Sequence, residues 1–301
     1  MTDTWVVTAR QIEQHHLPGM HLGRNVVRDS RNLSYRWKRN LPPELLVSKM
    51  WVRHGGILDQ LDLGSCTGNA ELGALECDPC YAALPAGHPA LDEALAVKIY
   101  SAATALDPFP GAYPPDDTGS DGPDAAKAAK QLGLISGYLH CLSLADVLDA
   151  LEDHPVCLGS NWYDSMDSPD SSGLVTISPG ASIRGGHEYL CRGKDVSQQL
   201  VFLDNSWGTG WGKAGSFAYS YATLERLLGE QGDGTVSLPL TAPAPTPIPV
   251  PPQPAPVPDP GPDDADLTLH RQTLAWTSER HVGQNAAVAK DLKLWYAAKG
   301  F

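Results

Sequence analysis

The sequence changes character near its middle, and this change constrains the fold more than any other feature. In the first half, apolar residues recur at helical spacing, which predicts helices at 91–106, 123–132 and 143–153. In the second half, short runs rich in valine, leucine and aromatic residues predict strands, at 155–159, 173–177, 188–192, 199–203 and 216–219. Helices followed by strands indicate an α+β protein with two segregated lobes.

A glycine-bearing turn within residues 59–70 places one cysteine, Cys66, at the predicted start of a helix. Unpaired backbone N–H groups and the positive end of the helix dipole favour a thiolate at such a position. Because a thiolate is the nucleophile and a thiol is not, Cys66 is a candidate for an activated sulfur. The alternative is a buried structural cysteine, since free cysteines are among the most buried residues.

Charge is distributed unevenly along the chain, whose net charge is −13. Residues 1–54 contain nine Lys/Arg against four Asp/Glu, whereas residues 55–240 contain eight against twenty-five. An acidic body argues against a nucleic-acid partner. The basic leader is predicted to lie across the acidic body; the alternative is a solvated, partly ordered tail.

The six cysteines are too few for a disulfide framework in a chain of 301 residues. Cys77 and Cys80 form a lone CxxC without a second pair, so no metal site and no cofactor is predicted. No apolar run approaches the roughly 20 residues that span a bilayer, so we expect no membrane span. The N-terminus lacks the pattern of a signal peptide, and the expected location is cytoplasmic.

Four segments describe the predicted domain organisation: a basic extension at 1–45, a main domain at 46–240, a linker at 241–262 and a tail at 263–301. Residues 242–262 contain eleven prolines, which predicts a semi-rigid polyproline II spacer. The tail has apolar residues on one helical face and is predicted to be an amphipathic helical segment. It could bind a protein assembly partner.

A cysteine nucleophile needs a base to accept its proton and a third group to orient that base. His187 follows Gly185-Gly186 at the predicted entrance to a strand, where two glycines permit close approach. Asn205 lies where the next predicted strand ends. If these two strands are neighbours, the amide of Asn205 comes beside the ring of His187.

With these residues the chain resembles the papain-like cysteine peptidases. Three blocks occur in the order of that family: Gln60 with Gly64-Ser65-Cys66, then Gly185-Gly186-His187, then Asn205-Ser206-Trp207-Gly208-Thr209-Gly210-Trp211-Gly212. The region that can be aligned is roughly 46–230. The resemblance implies a papain-like fold of two lobes, with Cys66 on the helical lobe and His187 and Asn205 on an antiparallel β lobe.

The resemblance also implies the role of each site residue. Cys66 would be the nucleophile and His187 the general base and then acid, while Asn205 would hold the imidazole in its productive orientation. Gln60 would donate its amide to the oxyanion hole together with the backbone N–H of Cys66. Trp207 would support the site by shielding the bond between His187 and Asn205 from water.

Two departures from the plant and lysosomal members point to one branch of the family. Thr67 stands where those members have tryptophan, and Leu63 stands where they have a disulfide-forming cysteine. Both fit a bacterial or bacteriophage branch, and the block at 113–120 resembles proteins of actinobacterial phages. For a phage protein, the host cytoplasm or the virion would be the expected location.

The sequence therefore predicts a cysteine endopeptidase that acts on a peptide or protein substrate. The alternative is a virion or assembly-associated structural component, tethered by residues 263–301, with the peptidase domain displayed or catalytically silent. The retention of Cys66, His187, Asn205 and Gln60 argues against a silent homologue.

Overall fold

The structure is a computed structural model that describes residues 6–39, 41–242 and 247, all of which belong to one compact unit. The predicted helical tail at 263–301 and nearly all of the predicted proline-rich linker lie outside the described residues. The proposed domain boundaries therefore stay predictions.

Helices dominate the first half of the described chain, as the periodicity predicts. They are α1 (Cys66–Leu75), α2 (Cys80–Ala83), α3 (Glu93–Thr104), α4 (Gly122–Gln131), α5 (Leu144–Ala150) and, after the strands, α6 (Tyr221–Gly229). Side chains cap the starts of α3, α4 and α5, where Asp92, Asp121 and Ser143 each accept a hydrogen bond from the backbone N–H three residues later. These caps explain why the helices begin where they do.

Strands form a two-stranded hairpin and one larger antiparallel sheet. The strands are β1 (Val7–Arg10), β2 (Val26–Asp29), β3 (Lys49–Met50), β4 (Gly137–Cys141), β5 (Val156–Tyr163), β6 (Ile183–Asp195), β7 (Leu200–Asp204), β8 (Ser216–Ser220) and β9 (Asp233–Leu238). The hairpin is β1–β2, and the sheet runs β4-β9-β5-β6-β7-β8 with β3 paired to β6. The 13-residue β6 lies within this sheet and carries His187.

The predicted strand at 173–177 is wrong. This segment makes only an isolated bridge between Leu174 and Ala218, and the turn before it is closed by Asp170. The Asp170 carboxylate accepts hydrogen bonds from the backbone N–H groups of Ser172 and Leu174, at 2.8 Å and 3.0 Å. An aspartate that satisfies backbone donors locally competes with a strand ladder.

The leader folds against the body instead of forming a solvated tail. Its β1–β2 hairpin was not predicted, because residues 7–10 are exposed and show no burial pattern. Three of its arginines pair with acidic residues of the body: Arg24 with Glu188 and Asp233, Arg36 with Asp146, and Arg39 with Asp149 and Asp153. The predicted contact between basic leader and acidic body is confirmed by these ion pairs.

Two main apolar clusters give the fold its lobes. One lies among α1, α3 and α4, and includes Leu72, Ile99 and Ala126. The other is built on the sheet and includes Trp162 and Tyr189. The described helices include none that is long and apolar enough to cross a bilayer.

Candidate active site

Cys66 is the first residue of α1, as predicted, and its side chain is fully buried. Two hydrogen bonds join the turn before Cys66 to Ser206, which lies just after β7. Gln60 N–H donates to the carbonyl oxygen of Ser206 at 2.9 Å, and the Ser206 hydroxyl donates to Gln60 Oε1 at 2.6 Å. These bonds connect the segment that leads to Cys66 with the segment that follows β7.

His187 and Asn205 come together as the sequence predicts for neighbouring strands. β6 pairs with β7, and His187 Nε2 lies 2.7 Å from Asn205 Oδ1. The other ring nitrogen, Nδ1, is buried and has no hydrogen-bond partner among the described residues. The amide therefore occupies one side of the imidazole and leaves the Nδ1 side to the cleft.

The Cys66 thiol lies against the strand that carries His187. The backbone N–H of Glu188, the next residue along β6, is close enough to the sulfur to lower its pKa, and so is the backbone N–H of Gly23 from the leader. The candidate nucleophile thus lies at the cleft between α1 and β6, beside the residue that follows the candidate base.

Trp207 covers the imidazole. Its ring stacks on the ring of His187 with centroids 4.6 Å apart and planes inclined by 23°. The indole N–H donates to the carbonyl oxygen of His21 at 3.0 Å, so the leader also contacts this tryptophan. Trp162 packs edge-on against both rings, at 5.1 Å from each.

Gln60 is buried in the turn before the nucleophile. Its Nε2 donates one hydrogen bond to the carbonyl oxygen of Leu63 at 2.6 Å, and its Oε1 is held by Ser206. An amide nitrogen carries two hydrogens, so one N–H remains for a ligand. The side chain is therefore held at both its nitrogen and its oxygen.

Residues 21–25 of the leader pass through this cleft. Gly23 N–H and Arg24 N–H both donate to the carbonyl oxygen of Gly186, at 3.2 Å and 3.0 Å. Leu22 is fully buried. A Cβ on Gly23 would come 1.9 Å from the carbonyl oxygen of Gly64, so only glycine fits this close to the turn before Cys66.

With the leader in place, burial shifts the pKa of both members of the candidate pair in the direction that favours the uncharged form. Burial raises the pKa of Cys66 to about 12, and the N–H groups of Glu188 and Gly23 offset only part of that effect. Burial lowers the pKa of His187 to about 3, against the hydrogen bond to Asn205, which raises it. Loss of solvent thus opposes the thiolate that the helix start favours, and a thiolate at Cys66 stays a prediction.

Several residues near the site belong to no motif that the sequence shows. Asp117 accepts hydrogen bonds from Gly64 N–H at 2.9 Å and from the Tyr100 hydroxyl at 2.5 Å, and so ties the 107–120 loop to the nucleophile turn. Arg24 and Glu188 meet beside Cys66. The alternation of Gly186, His187 and Glu188 along a strand would have indicated that Glu188 faces away from the imidazole.

The six cysteines all fall within the described residues, and each is a buried free thiol. Cys77 and Cys80 pack in separate apolar clusters. Among the residues that the structure describes, no group of three or more His, Cys, Asp or Glu is arranged to hold a metal ion.

No protein-family model matches the sequence, and no curated protein matches it. Among solved structures, the chain is similar to xylellain, a cysteine protease from Xylella fastidiosa, with a TM-score of 0.53 and 17% identity. That match covers 77% of this chain and 98% of the other. Digestive procathepsin L 3 from Tenebrio molitor larval midgut gives a TM-score of 0.49 and 16% identity, over 69% and 74% of the two chains. The chain has the α+β fold of the papain-like cysteine proteases.

Proposed function

We propose that the chain is a cysteine endopeptidase in which Cys66 is the nucleophile, His187 the general base and acid, and Asn205 the group that orients the imidazole. The observation that carries the proposal is the 2.7 Å contact between His187 Nε2 and Asn205 Oδ1, on a strand whose next residue, Glu188, faces the Cys66 thiol with its backbone N–H. The contact fixes the ring and leaves Nδ1 as the nitrogen that can accept a proton.

The first half of the proposed reaction forms an acyl-enzyme. His187 Nδ1 accepts the proton of Cys66, and the thiolate attacks the carbonyl carbon of the peptide bond. The developing oxyanion accepts hydrogen bonds from the backbone N–H of Cys66 and the free N–H of Gln60. The imidazolium then gives its proton to the leaving amine, and the C–N bond breaks.

The second half releases the acid product. Water takes the place of the amine, His187 accepts one of its protons, and the resulting hydroxide attacks the thioester. The tetrahedral intermediate collapses with loss of the Cys66 sulfur, which recovers its proton from the imidazolium. Trp207 keeps bulk water from the bond between His187 and Asn205 during both halves, by covering the ring face.

The leader blocks this reaction in the covered state, because residues 21–25 occupy the space in front of Cys66. A substrate must displace them before the thiol becomes accessible. Both pKa values then move towards the range that a thiolate–imidazolium pair requires, since the desolvation that perturbs them is relieved. The proposed active form is therefore the chain with its leader displaced from the cleft.

Cleavage of a synthetic peptide library tests the proposal. Wild type is compared with Cys66→Ala, and each is also tested with Gly23→Ala, which loosens the leader. Cys77→Ala is the matched control for loss of a buried thiol. We expect cleavage that disappears with Cys66→Ala and persists with Cys77→Ala. Labelling of Cys66 by an epoxysuccinyl inhibitor that is equally fast in His187→Ala would contradict the activated pair.

The narrower attribution to a bacteriophage branch rests on the sequence blocks at 63–70 and 113–120. The tethering role rests on the composition of residues 241–301. Deletion of 242–301 tests the latter: association with an assembly partner should be lost while peptide cleavage is retained.

A further inference from the structure

Arg24 of the leader inserts its side chain into a closed acidic pocket beside the candidate nucleophile. The residue is 1% exposed. Its guanidinium pairs with Asp233 through Nη2, lies 3.6 Å from Glu188 Oε2 through Nε, and donates to the carbonyl oxygen of Gln231 at 2.9 Å. Arginine side chains are rarely buried so completely, so the burial of Arg24 in the leader needs a physical reason.

The pocket is built by strand register. Gly159 of β5 pairs with Glu188 of β6 on one side and with Asp233 of β9 on the other. The three residues form one row across the sheet, so their side-chain positions share a face. The glycine in the middle leaves a slot between two carboxylates, and a Cβ there would come 2.1 Å from Arg24 Nε. We call Gly159, Glu188, Asp233 and the Gln231 carbonyl the arginine pocket.

The arginine pocket adjoins the proposed chemistry. Glu188 follows His187 directly, and its backbone N–H faces the Cys66 thiol. The main chain of Arg24 donates to the carbonyl oxygen of Gly186, which precedes His187. A peptide whose main chain meets Gly186 therefore places one side chain in the pocket while its neighbour lies at Cys66.

Electrostatics make a cation the natural occupant. Burial raises the pKa of Glu188 well above its usual range, and the Asp233 carboxylate adds to that effect. Glu188 Oε2 is buried and has no hydrogen-bond partner among the described residues, Arg24 included. Burial opposes the charge on Arg24, but Asp233 and Glu188 outweigh it, and the pKa of Arg24 lies above its usual value. Once the leader leaves, two acidic groups remain in a slot shaped for a guanidinium.

We propose that the arginine pocket selects substrates, so that the peptidase prefers peptides with an arginine side chain next to the residue at Cys66. The leader blocks the cleft by placing Arg24 in that same pocket. This inference rests on the proposed function. Arginine is favoured over lysine because its guanidinium spans the pocket: Nη2 serves both Asp233 and the Gln231 carbonyl, and Nε lies 3.6 Å from Glu188 Oε2. An apolar side chain leaves both acids without a counter-charge.

A binding experiment tests the pocket without requiring catalysis. Arg24→Ala in the full chain empties the pocket, and its thermal unfolding is measured with acetyl-arginine amide, acetyl-lysine amide and acetyl-leucine amide. We expect the arginine compound to raise Tm most and the leucine compound to leave it unchanged, as ligand linkage requires. Arg24→Met, which keeps the volume of the stem, replaces Arg24→Ala if that variant does not fold. Equal responses to the arginine and leucine compounds would overturn the inference.

Cleavage profiles test selection. The peptide library is digested by the Gly23→Ala protein and by the same protein carrying Asp233→Asn. The control is the Gly23→Ala protein carrying Glu225→Gln, which removes an exposed acid on α6. We expect kcat/KM for arginine peptides to fall roughly 10- to 100-fold in Asp233→Asn, and that for apolar peptides to change little. Cysteine-dependent cleavage without arginine preference overturns the inference and leaves the proposed function standing. Arginine-amide binding with no cleavage overturns the proposed function and the substrate assignment, and leaves only a binding pocket.

Discussion

Replacing Gly23 with alanine tests whether the leader holds Cys66 in its uncharged form. The added Cβ would lie 1.9 Å from the carbonyl oxygen of Gly64 and 2.5 Å from its carbonyl carbon. Both are backbone atoms of the turn that precedes α1, so they cannot rotate out of the way. The expected result is that the leader moves away from the cleft near Cys66 while the body keeps its fold.

The expected increase in the alkylation rate of Cys66 follows from the pKa of its thiol. In the covered state the pKa of Cys66 is about 12, because of burial, and the ordinary value for a cysteine is 9.0. At pH 8 the thiolate fraction therefore rises from about 1 in 10,000 to about 1 in 10 when the thiol is uncovered. Since the thiolate is the reactive form, alkylation should be faster by about 1,000-fold before any gain in access is counted.

Iodoacetamide alkylation between pH 6 and pH 10, followed by mass mapping of the peptide that contains Cys66, measures this change. In wild type the rate should climb about tenfold for each pH unit up to pH 10, since the pKa lies above the whole range. In Gly23→Ala the rate should level off at the lower pKa. Gly56→Ala is the matched control, because a Cβ on Gly56 meets nothing within 4 Å.

Two results would refute the reasoning. If Gly23→Ala and wild type react at the same rate, the leader does not determine the state of the thiol. If Gly56→Ala accelerates alkylation as much as Gly23→Ala does, the effect comes from general loosening of the protein. The other five cysteines serve as internal references for such loosening, because all are buried.

Three further predictions concern the site. Asn205→Ala should lower kcat/KM about 100-fold with an unchanged circular dichroism spectrum, because it releases His187 Nε2; unaltered turnover would exclude the orienting role. Ser206→Ala removes the hydroxyl that holds Gln60 Oε1 and should lower kcat with little change in KM, whereas a rise in KM alone would contradict a role in the oxyanion hole. Burial lowers the pKa of His187 to about 3 and that of His140 to about 4, below the usual 6.5. Both rings therefore bind fewer protons in the folded state than in the unfolded state, so the stability that they contribute is lost as pH drops from 6.5 towards 3, by up to about 5 kcal/mol for His187. Buried carboxyl groups such as Glu71, whose pKa burial raises to about 7, act in the opposite direction. The measurement is therefore the difference in unfolding free energy between wild type and His187→Gln, and a difference that does not change with pH would contradict the buried neutral ring.

The candidate site could be predicted from the sequence because its parts lie in short local patterns. A glycine turn before Cys66 and a strand end at Asn205 each specify a local geometry. Pairing of β6 with β7 then brings His187 and Asn205 within 2.7 Å, and neighbouring strands along a chain pair often. The α+β class followed from the separate periods of the two halves of the chain.

Other features depend on long-range register, which no local pattern contains. The row of Gly159, Glu188 and Asp233 requires β9 to pair with β5, although the two strands lie about seventy residues apart. β9 itself was missed because Asp233-Gly234-Thr235 begins it with residues that are typical of turns. The same limitation hid the path of the leader, since charge asymmetry indicates contact with the body but not which acid each arginine meets.

The ion pairs of the leader differ in a way that bears on how it is released. Arg39 is 37% exposed, so salt screens its pairs with Asp149 and Asp153. The pair of Arg24 with Asp233 is buried, so salt screens it much less. Salt should therefore loosen the outer part of the leader and leave Arg24 in place. A competing guanidinium is the species that the arginine pocket would accept in exchange, which makes the leader and an arginine-containing substrate competitors for one site.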